Sequence, residues 1–209
     1  MIVAFDTETT GLPDWRSPSE AAHQPHLVQL AAILLDDALV ERGSLSLIIR
    51  PDGYVIPEEV SKIHGITTEM AMDLGVPEKQ ATRLFASMLY DTGAKAVAHN
   101  VDFDLRILRI AMLRAGWTKE QLDARKVESY CTMKAATPIV NLPPTPKMVA
   151  AGFNKPKSAS LTECIKHFFD ETLEGAHDAL IDVRACLRVY RHLNPANSAA
   201  PVADPGDVV

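Results

Sequence analysis

The chain opens on a segment that few folds can house. Ile2-Val3-Ala4-Phe5 is an unbroken apolar run, and it leads directly into Asp6-Thr7-Glu8-Thr9-Thr10-Gly11. Residues 2–6 read as a short strand buried on both faces, the pattern of a central strand in an α/β sheet. Alternation along a strand places Asp6 and Glu8 on one face. Two carboxylates at the end of such a strand repel each other and are costly to desolvate. Either the strand ends in a turn with solvated acids, or a divalent cation is bound there. Oxygen donors favour Mg²⁺ or Mn²⁺ over zinc. The Thr-Thr-Gly that follows lets the backbone turn sharply and approach a ligand closely.

The rest of the chain reads as the remainder of that sheet and its cover. A polar loop holding Pro13, Asp14, Pro18 and Pro25 is followed by expected strands over 27–35 and 44–50, with a hairpin turn inside 36–43. Pro57 opens a helix over 58–63, which Gly65 stops. Helical spacing covers 78–90, with Ala81, Leu84, Phe85 and Met88 on its apolar face. A strand over 94–98 precedes a helix over 103–115, ended by Gly116. A fifth strand is expected near 127–132 and a long Pro-rich loop over 138–157, then helices over 161–169 and 179–192. Three strands followed by alternating helices and strands predict a mixed-sheet α/β domain. It spans 1–193, and residues 194–209, rich in Pro and Ala and without an aromatic, read as a disordered tail.

Composition sets limits on partners. At 209 residues the chain buries enough surface to fold without disulfides or a structural metal. Cys131, Cys164 and Cys186 form no C-x-x-C pair and read as free thiols. No apolar run reaches the ~18 residues of a membrane span, and the first residues carry no basic leader, so no membrane partner and an intracellular location are expected. A net charge of −6 argues against a large nucleic-acid footprint. It leaves room for a small one, because a bound cation neutralises its own carboxylates.

Two further segments carry chemistry. Ala98-His99-Asn100-Val101-Asp102-Phe103-Asp104 joins a strand to a helix. Asp102 is assigned as the helix N-cap, and Asp104 sits in the first turn, where negative charge is favoured. His99 and Asn100 read as hydrogen-bonding support. The other segment is His177-Asp178-Ala179-Leu180-Ile181-Asp182. Five residues span about 140° of a helix, so His177 and Asp182 serve one site only if His177 precedes the helix. Asp178 is then the natural N-cap, although it stands four residues from Asp182 and competes with it as a ligand.

Taken in order, FDTETTG, HNxxFD and HxAxxD resemble the three motifs of the DEDDh family of 3′→5′ exonucleases, and Ile56-Pro57 through His64-Gly65-Ile66-Thr67 resembles a further stretch of that family. The resemblance runs over about residues 1–193. Tyr130-Cys131-Thr132-Met133 departs from it, where many relatives place an Asp-Ser/Thr-Leu segment. The resemblance implies a ribonuclease-H-like fold, a mixed five-stranded sheet flanked by helices. It implies two divalent cations, Mg²⁺ or Mn²⁺, held by Asp6, Glu8, Asp104 and Asp182, with Asp6 between them and His177 as general base. It also implies that the Thr9, Thr10, Gly11 and Leu12 backbone and the Leu12 side chain meet the terminal nucleotide, with His64 and Phe103 against it and Asn100 in support. The expected activity is release of nucleoside 5′-monophosphates from a DNA 3′ terminus, beside a DNA polymerase or replication complex. An RNA exonuclease with the same site, or a non-catalytic module binding a polymerase or nucleic acid, are the competing readings. Lys147, Lys155 and Lys157 are candidates for the phosphate backbone. His23 and His26 are spaced for a metal, and Arg184, Arg188 and Arg191 read as a solvated face.

Overall fold

The structure, a computed structural model, describes residues 1–195. The tail expected from 194 onward therefore lies almost entirely outside the described residues. Five strands form one sheet: β1 (Ile2–Thr9), β2 (Leu27–Leu35), β3 (Glu41–Ile48), β4 (Lys95–Ala98) and β5 (Ser129–Cys131), in the spatial order β3-β2-β1-β4-β5. β1, β2 and β3 pair antiparallel, while β4 and β5 run parallel to β1. This is the mixed five-stranded ribonuclease-H-like sheet, with β1 at its centre.

The helices are α1 (Glu58–His64), α2 (Thr68–Leu74), α3 (Glu78–Ala86), α4 (Val101–Arg114), α5 (Lys119–Asp123), α6 (Thr132–Val140), α7 (Pro146–Ala150), α8 (Leu161–Phe169) and α9 (Ala179–Leu193). Alternation along β1 divides the core. Val3 and Phe5 face α3 and α4, packing with Leu108, Ala111 and Phe85. Phe5 and Phe85 meet edge to face at 5.0 Å, a geometry worth about 0.5–1.5 kcal/mol beyond the buried area. Ile2 and Ala4 face α9, packing with Val183, Cys186 and Leu187. Behind α9 a further cluster of Ala136, Cys164, Ile165 and Val189 ties α6 and α8 to it. All three cysteines are free, two of them buried. No described helix is long and apolar enough to cross a membrane.

Several bounds differ from those the sequence predicts. β1 continues to Thr9 because Thr7, Glu8 and Thr9 still pair with β2, so Glu8 lies within the strand together with Asp6, and not past its end. β3 begins and ends earlier than expected, and β5 is shorter. The helix expected to run to 90 gives way at Ser87–Asp91 to a wider π-turn, and Leu84 is 54% exposed, while Ala81, Phe85 and the partly buried Met88 pack on the core as expected. α2 and α5 are not foreseen in the sequence. Their signals are side-chain caps: Thr67 accepts from Met70 N–H, and Thr118 and Gln121 form a reciprocal capping box. The Pro-rich stretch contains α7, with Pro146 in its first turn, where the missing N–H costs nothing. α6 tolerates Pro138 only near its end.

Candidate active site

β1 presents Asp6 and Glu8 on the α9 face of the sheet, and a β-bulge against β2 falls just past Glu8. Asp104 and Asp182 are each the fourth residue of a helix, α4 and α9, whose first turns favour negative charge. The acids therefore come from a strand and from the starts of two helices. Ligand atoms of Glu8, His177 and Asp182 all lie within 4.8 Å of one another. Asp6 and Asp104 complete the group from deeper positions, recognisable in their mutual electrostatics.

Asp104 is 2% exposed, and one carboxylate oxygen is fixed by Thr7, which donates from its backbone N–H at 3.1 Å and from Oγ1 at 2.8 Å. Thr7 lies on the opposite face of β1 from Asp6 and Glu8, so a single strand both supplies two acids and orients a third. His177 takes a left-handed backbone conformation, φ 71°, immediately before α9. That bend turns its N–H onto Asp182 Oδ2 at 3.1 Å. Asp178 is the N-cap of α9, accepting from Leu180 and Ile181 N–H through Oδ1. Its other oxygen faces Gln29 Nε2 at 3.4 Å, and Gln29 Oε1 accepts from Ala179 N–H. Capping occupies Asp178, which removes it from competition with Asp182.

The electrostatics are those of an anion cluster without a counter-charge. Burial, followed by the charges of Asp104, Asp182 and Asp178, holds Asp6 well above the usual carboxylate range. Burial and then Asp6, Asp182 and Asp178 push Glu8 up to about 8. Asp104 is raised to about 8, chiefly by burial and against the pull of the Thr7 hydrogen bonds. Asp182 is raised by burial, opposed by the His177 N–H. Among the described residues no lysine or arginine pairs with any of the four. Asp182 Oδ1 is buried with no hydrogen-bond partner. An all-oxygen donor set with an orphaned buried oxygen fits a hard divalent cation.

Around this cluster the other expected residues divide. Leu12 is 84% exposed, at the end of a turn in which Thr9 Oγ1 donates to Gly11 C=O and Thr10 Oγ1 accepts from His26 N–H. The Thr9 and Thr10 side chains are thus spent on the turn, as are the Thr10 and Gly11 N–H groups, which donate to His26 C=O and Thr9 Oγ1, while Leu12 faces outward. His64 closes α1, with Nδ1 accepting from Ile66 N–H and Nε2 buried without a partner. Burial and the nearby His177 hold its pKa below the ordinary histidine value. Phe103 is half-buried against the α4 core cluster. Asn100, not Asp102, is the N-cap of α4, in a left-handed conformation at φ 78°. Asn is among the few residues besides glycine that enter that region readily. Asp102 lies instead in the first turn, paired with Lys134. His99 bridges Thr132 Oγ1 and Ala159 C=O and is structural.

The remaining candidates disperse. His23 meets Asp14 and His26 stacks on Tyr54, so the two do not converge on a metal. Lys157 pairs with Glu163. Arg184 and Arg188 pair with Glu41 and Glu171, and Arg191 donates to Leu39 C=O. Sequence reasoning missed Thr7 and Gln29. The signal for Gln29 is a single amide in an otherwise apolar strand, Leu27-Val28-Gln29-Leu30-Ala31.

A mixed five-stranded sheet of ribonuclease-H-like form thus gathers four carboxylates and a histidine from its central strand and two helix starts. Residues 3–190 match the family model RNase_T, described as exonuclease, and the chain belongs to that family, DEDDh 3′–5′ exonucleases that hydrolyse phosphodiester bonds. The family generally uses divalent metal ions. A DNA polymerase III subunit epsilon-like protein of Rhodobacter capsulatus is 28% identical over 210 residues, covering all of this chain and 26% of that protein. The chain thus spans about a quarter of that relative's length. The fold is similar to E. coli exonuclease I in complex with a dT13 oligonucleotide, at TM-score 0.70 and 20% identity over 92% of this chain and 40% of that one. It is also similar to the zinc-bound form of the same enzyme with single-stranded DNA, at TM-score 0.66 and 19% identity over 94% and 42%.

Proposed function

We propose that this protein removes nucleoside 5′-monophosphates one at a time from the 3′ end of DNA, with Asp6, Glu8, Asp104 and Asp182 holding two divalent cations, Mg²⁺ or Mn²⁺. The observation that carries this reading is the convergence of Glu8, His177 and Asp182 within 4.8 Å, beside the buried Asp104 and the partly buried Asp6, neither with a basic partner among the described residues. Bound there, divalent cations supply Lewis-acid stabilisation of the charge that develops at the phosphate.

The chain's own residues do the rest. His177 stands outside the helix at the mouth of the cluster, where its imidazole accepts the proton of the attacking water as general base. Its backbone N–H steadies Asp182, so one residue both orients a ligand and moves a proton. Asp104, locked by Thr7, keeps its carboxylate aimed without rearrangement. Leu12 and the backbone of Thr9, Thr10 and Gly11 receive the terminal sugar and base. His64, through its unpartnered Nε2, and Phe103 bound the same space, with Asn100 shaping the start of α4.

The oligonucleotide complexes of E. coli exonuclease I support single-stranded DNA as substrate. The epsilon-like relative supports a place beside a DNA polymerase, in proofreading or repair. The test is a ladder assay. Matched DNA and RNA strands, labelled at either end, are incubated with Mg²⁺, Mn²⁺ or chelator. Stepwise shortening of 5′-labelled DNA, dependent on metal, is expected. Digestion of RNA alone, shortening from the 5′ end, or full activity in chelator would overturn the corresponding part of the reading.

A further inference from the structure

Three residues beyond Leu12, the chain carries an indole that neither the core nor the proposed chemistry uses. Trp15 is 59% exposed. It borders an open cavity of about 630 Å³ shared with Asn100, Asp102, Leu105, Arg106 and Arg109, within the size range of ligand sites. The loop that presents Trp15 is held firmly. Gln24, 1% exposed, accepts from Asp14 N–H and donates to the Asp14 and Pro18 carbonyls. Arg106 reaches from α4 to donate to the Asp14 and Ser17 carbonyls and to Ser19 Oγ. About two helical turns further along α4, Arg114 donates to the Gln24 and Pro25 carbonyls. The helix that carries Asp104 therefore also fixes the platform that carries Trp15.

The charges around this cavity select its occupant. Asp102 is paired with Lys134 and Arg109 with Asp123. Arg106 pairs with no carboxylate among the described residues, and its Nε is buried without a hydrogen-bond partner. Its guanidinium carbon lies 5.9 Å from the Trp15 ring centroid. The cavity is thus locally cationic in a chain of net charge −6. The Arg106 Nη atoms are spent on the loop and its Nε is buried, so it offers a strand charge and not a hydrogen bond; an exposed aromatic face beside that unneutralised charge matches a base stacked on the ring with its phosphate drawn towards the cation.

We propose that Trp15 and Arg106 form a second subsite, which binds a nucleotide of the single strand upstream of the 3′ terminus. This rests on the exonuclease reading above. Three residues span at most about 11 Å, so the subsite lies no more than about three nucleotides from Leu12 at the ~3.4 Å rise of a stacked strand. In the proposed arrangement it lies beyond the second nucleotide, so that a dinucleotide does not reach it and a strand of about ten nucleotides does. The subsite makes turnover length-dependent without sequence preference.

The test compares the parent with Trp15→Ala and Trp15→Phe on a dinucleotide and on a single strand of about ten nucleotides. The expected result is a KM for the longer strand raised about 5- to 150-fold by Trp15→Ala, the range for one lost stacking contact. Trp15→Phe restores most of it, and the dinucleotide does not share the loss. Equal loss on both lengths, or none on the longer one, would overturn the subsite. A second measurement does not depend on hydrolysis. Trp15 and Trp117 are the two tryptophans, so Trp117→Phe leaves Trp15 as sole tryptophan fluorophore. Quenching on titration with a phosphorothioate-linked strand is expected, and its absence would overturn the subsite. Failure of the parent to cleave either length would instead remove the exonuclease reading, with the quench still deciding whether a strand binds here.

Discussion

Replacing Glu8 with Gln should stabilise the protein in the absence of metal, by an amount that grows as pH rises above 4.5. Glu8 lies beside Asp6 and Asp182 in a largely dry setting that raises its pKa from an ordinary 4.5 to about 8. A carboxyl whose folded value is raised binds more protons folded than unfolded. Its penalty is therefore absent below pH 4.5, grows as pH rises, and levels off above 8. At about 1.4 kcal/mol per pH unit, Glu8 destabilises the metal-free protein by about 3 kcal/mol at pH 7. Gln keeps the shape and removes the charge. In a domain of this size that recovers roughly 6–12 °C in Tm. The assay is a set of thermal melts of parent and Glu8→Gln in chelator, from pH 4.5 to above 8, repeated with Mg²⁺ or Mn²⁺. The gap should open with rising pH in chelator and close or invert when metal is added, because a cation bound only to the folded parent stabilises it by mass action. An equal gap at acid and alkaline pH, or a variant less stable than the parent in chelator at the alkaline end, would refute the claim that uncompensated charge is what the cluster stores.

His177→Ala should lower the rate about 10²- to 10⁴-fold, the scale of a general base, and flatten the acid limb of the pH–rate profile; an unchanged profile would remove His177 from that role. Thr7→Val deletes the 2.8 Å bond to Asp104 while keeping the backbone donor; a kcat loss of about 10-fold or more with little change in KM is expected in steady-state kinetics. Gly75→Ala would place a methyl 2.3 Å from Ala71 C=O and 2.5 Å from Arg50 N, both backbone atoms. A loss of about 2 kcal/mol or more should appear in denaturant melts, with the rate per folded molecule kept, since the atoms met are backbone of Ala71 and Arg50 and none belongs to the acids.

Much of the site was legible because the chemistry is written in short, rigid segments. The alternation that places Asp6 and Glu8 together depends only on β1 being extended, and an apolar run of that kind has few other uses. The five-residue spacing of His177 and Asp182 required a break between them, which the left-handed His177 provides. Asp178 was recognisable as a cap because capping is local. What stayed hidden is non-local. Nothing near Thr7 says that Asp104, 97 residues away, will be its partner. Nothing near Gln29 says that α9 will start on it, 150 residues later. The misplaced cap of α4 has a local cause: Asp102 and Asn100 are both good capping residues, and only the chain's exit from β4 decides between them.

The same contacts explain why an acidic cluster survives inside a domain that it destabilises. Each candidate ligand is fixed by a group that takes no part in the chemistry: Thr7 holds Asp104, His177's backbone holds Asp182, and β2 holds Asp6 and Glu8 by pairing. Freed from such anchors, the carboxylates would turn to solvent and relieve their repulsion. Held, they cannot, and on the proposed reading the repulsion becomes affinity for a divalent cation. The large apolar packing on both faces of β1 is what makes that restraint possible, since a strand buried on both sides has no path by which to rotate its acids outward. Loosening the core beneath Asp6 should therefore weaken metal binding before it abolishes folding.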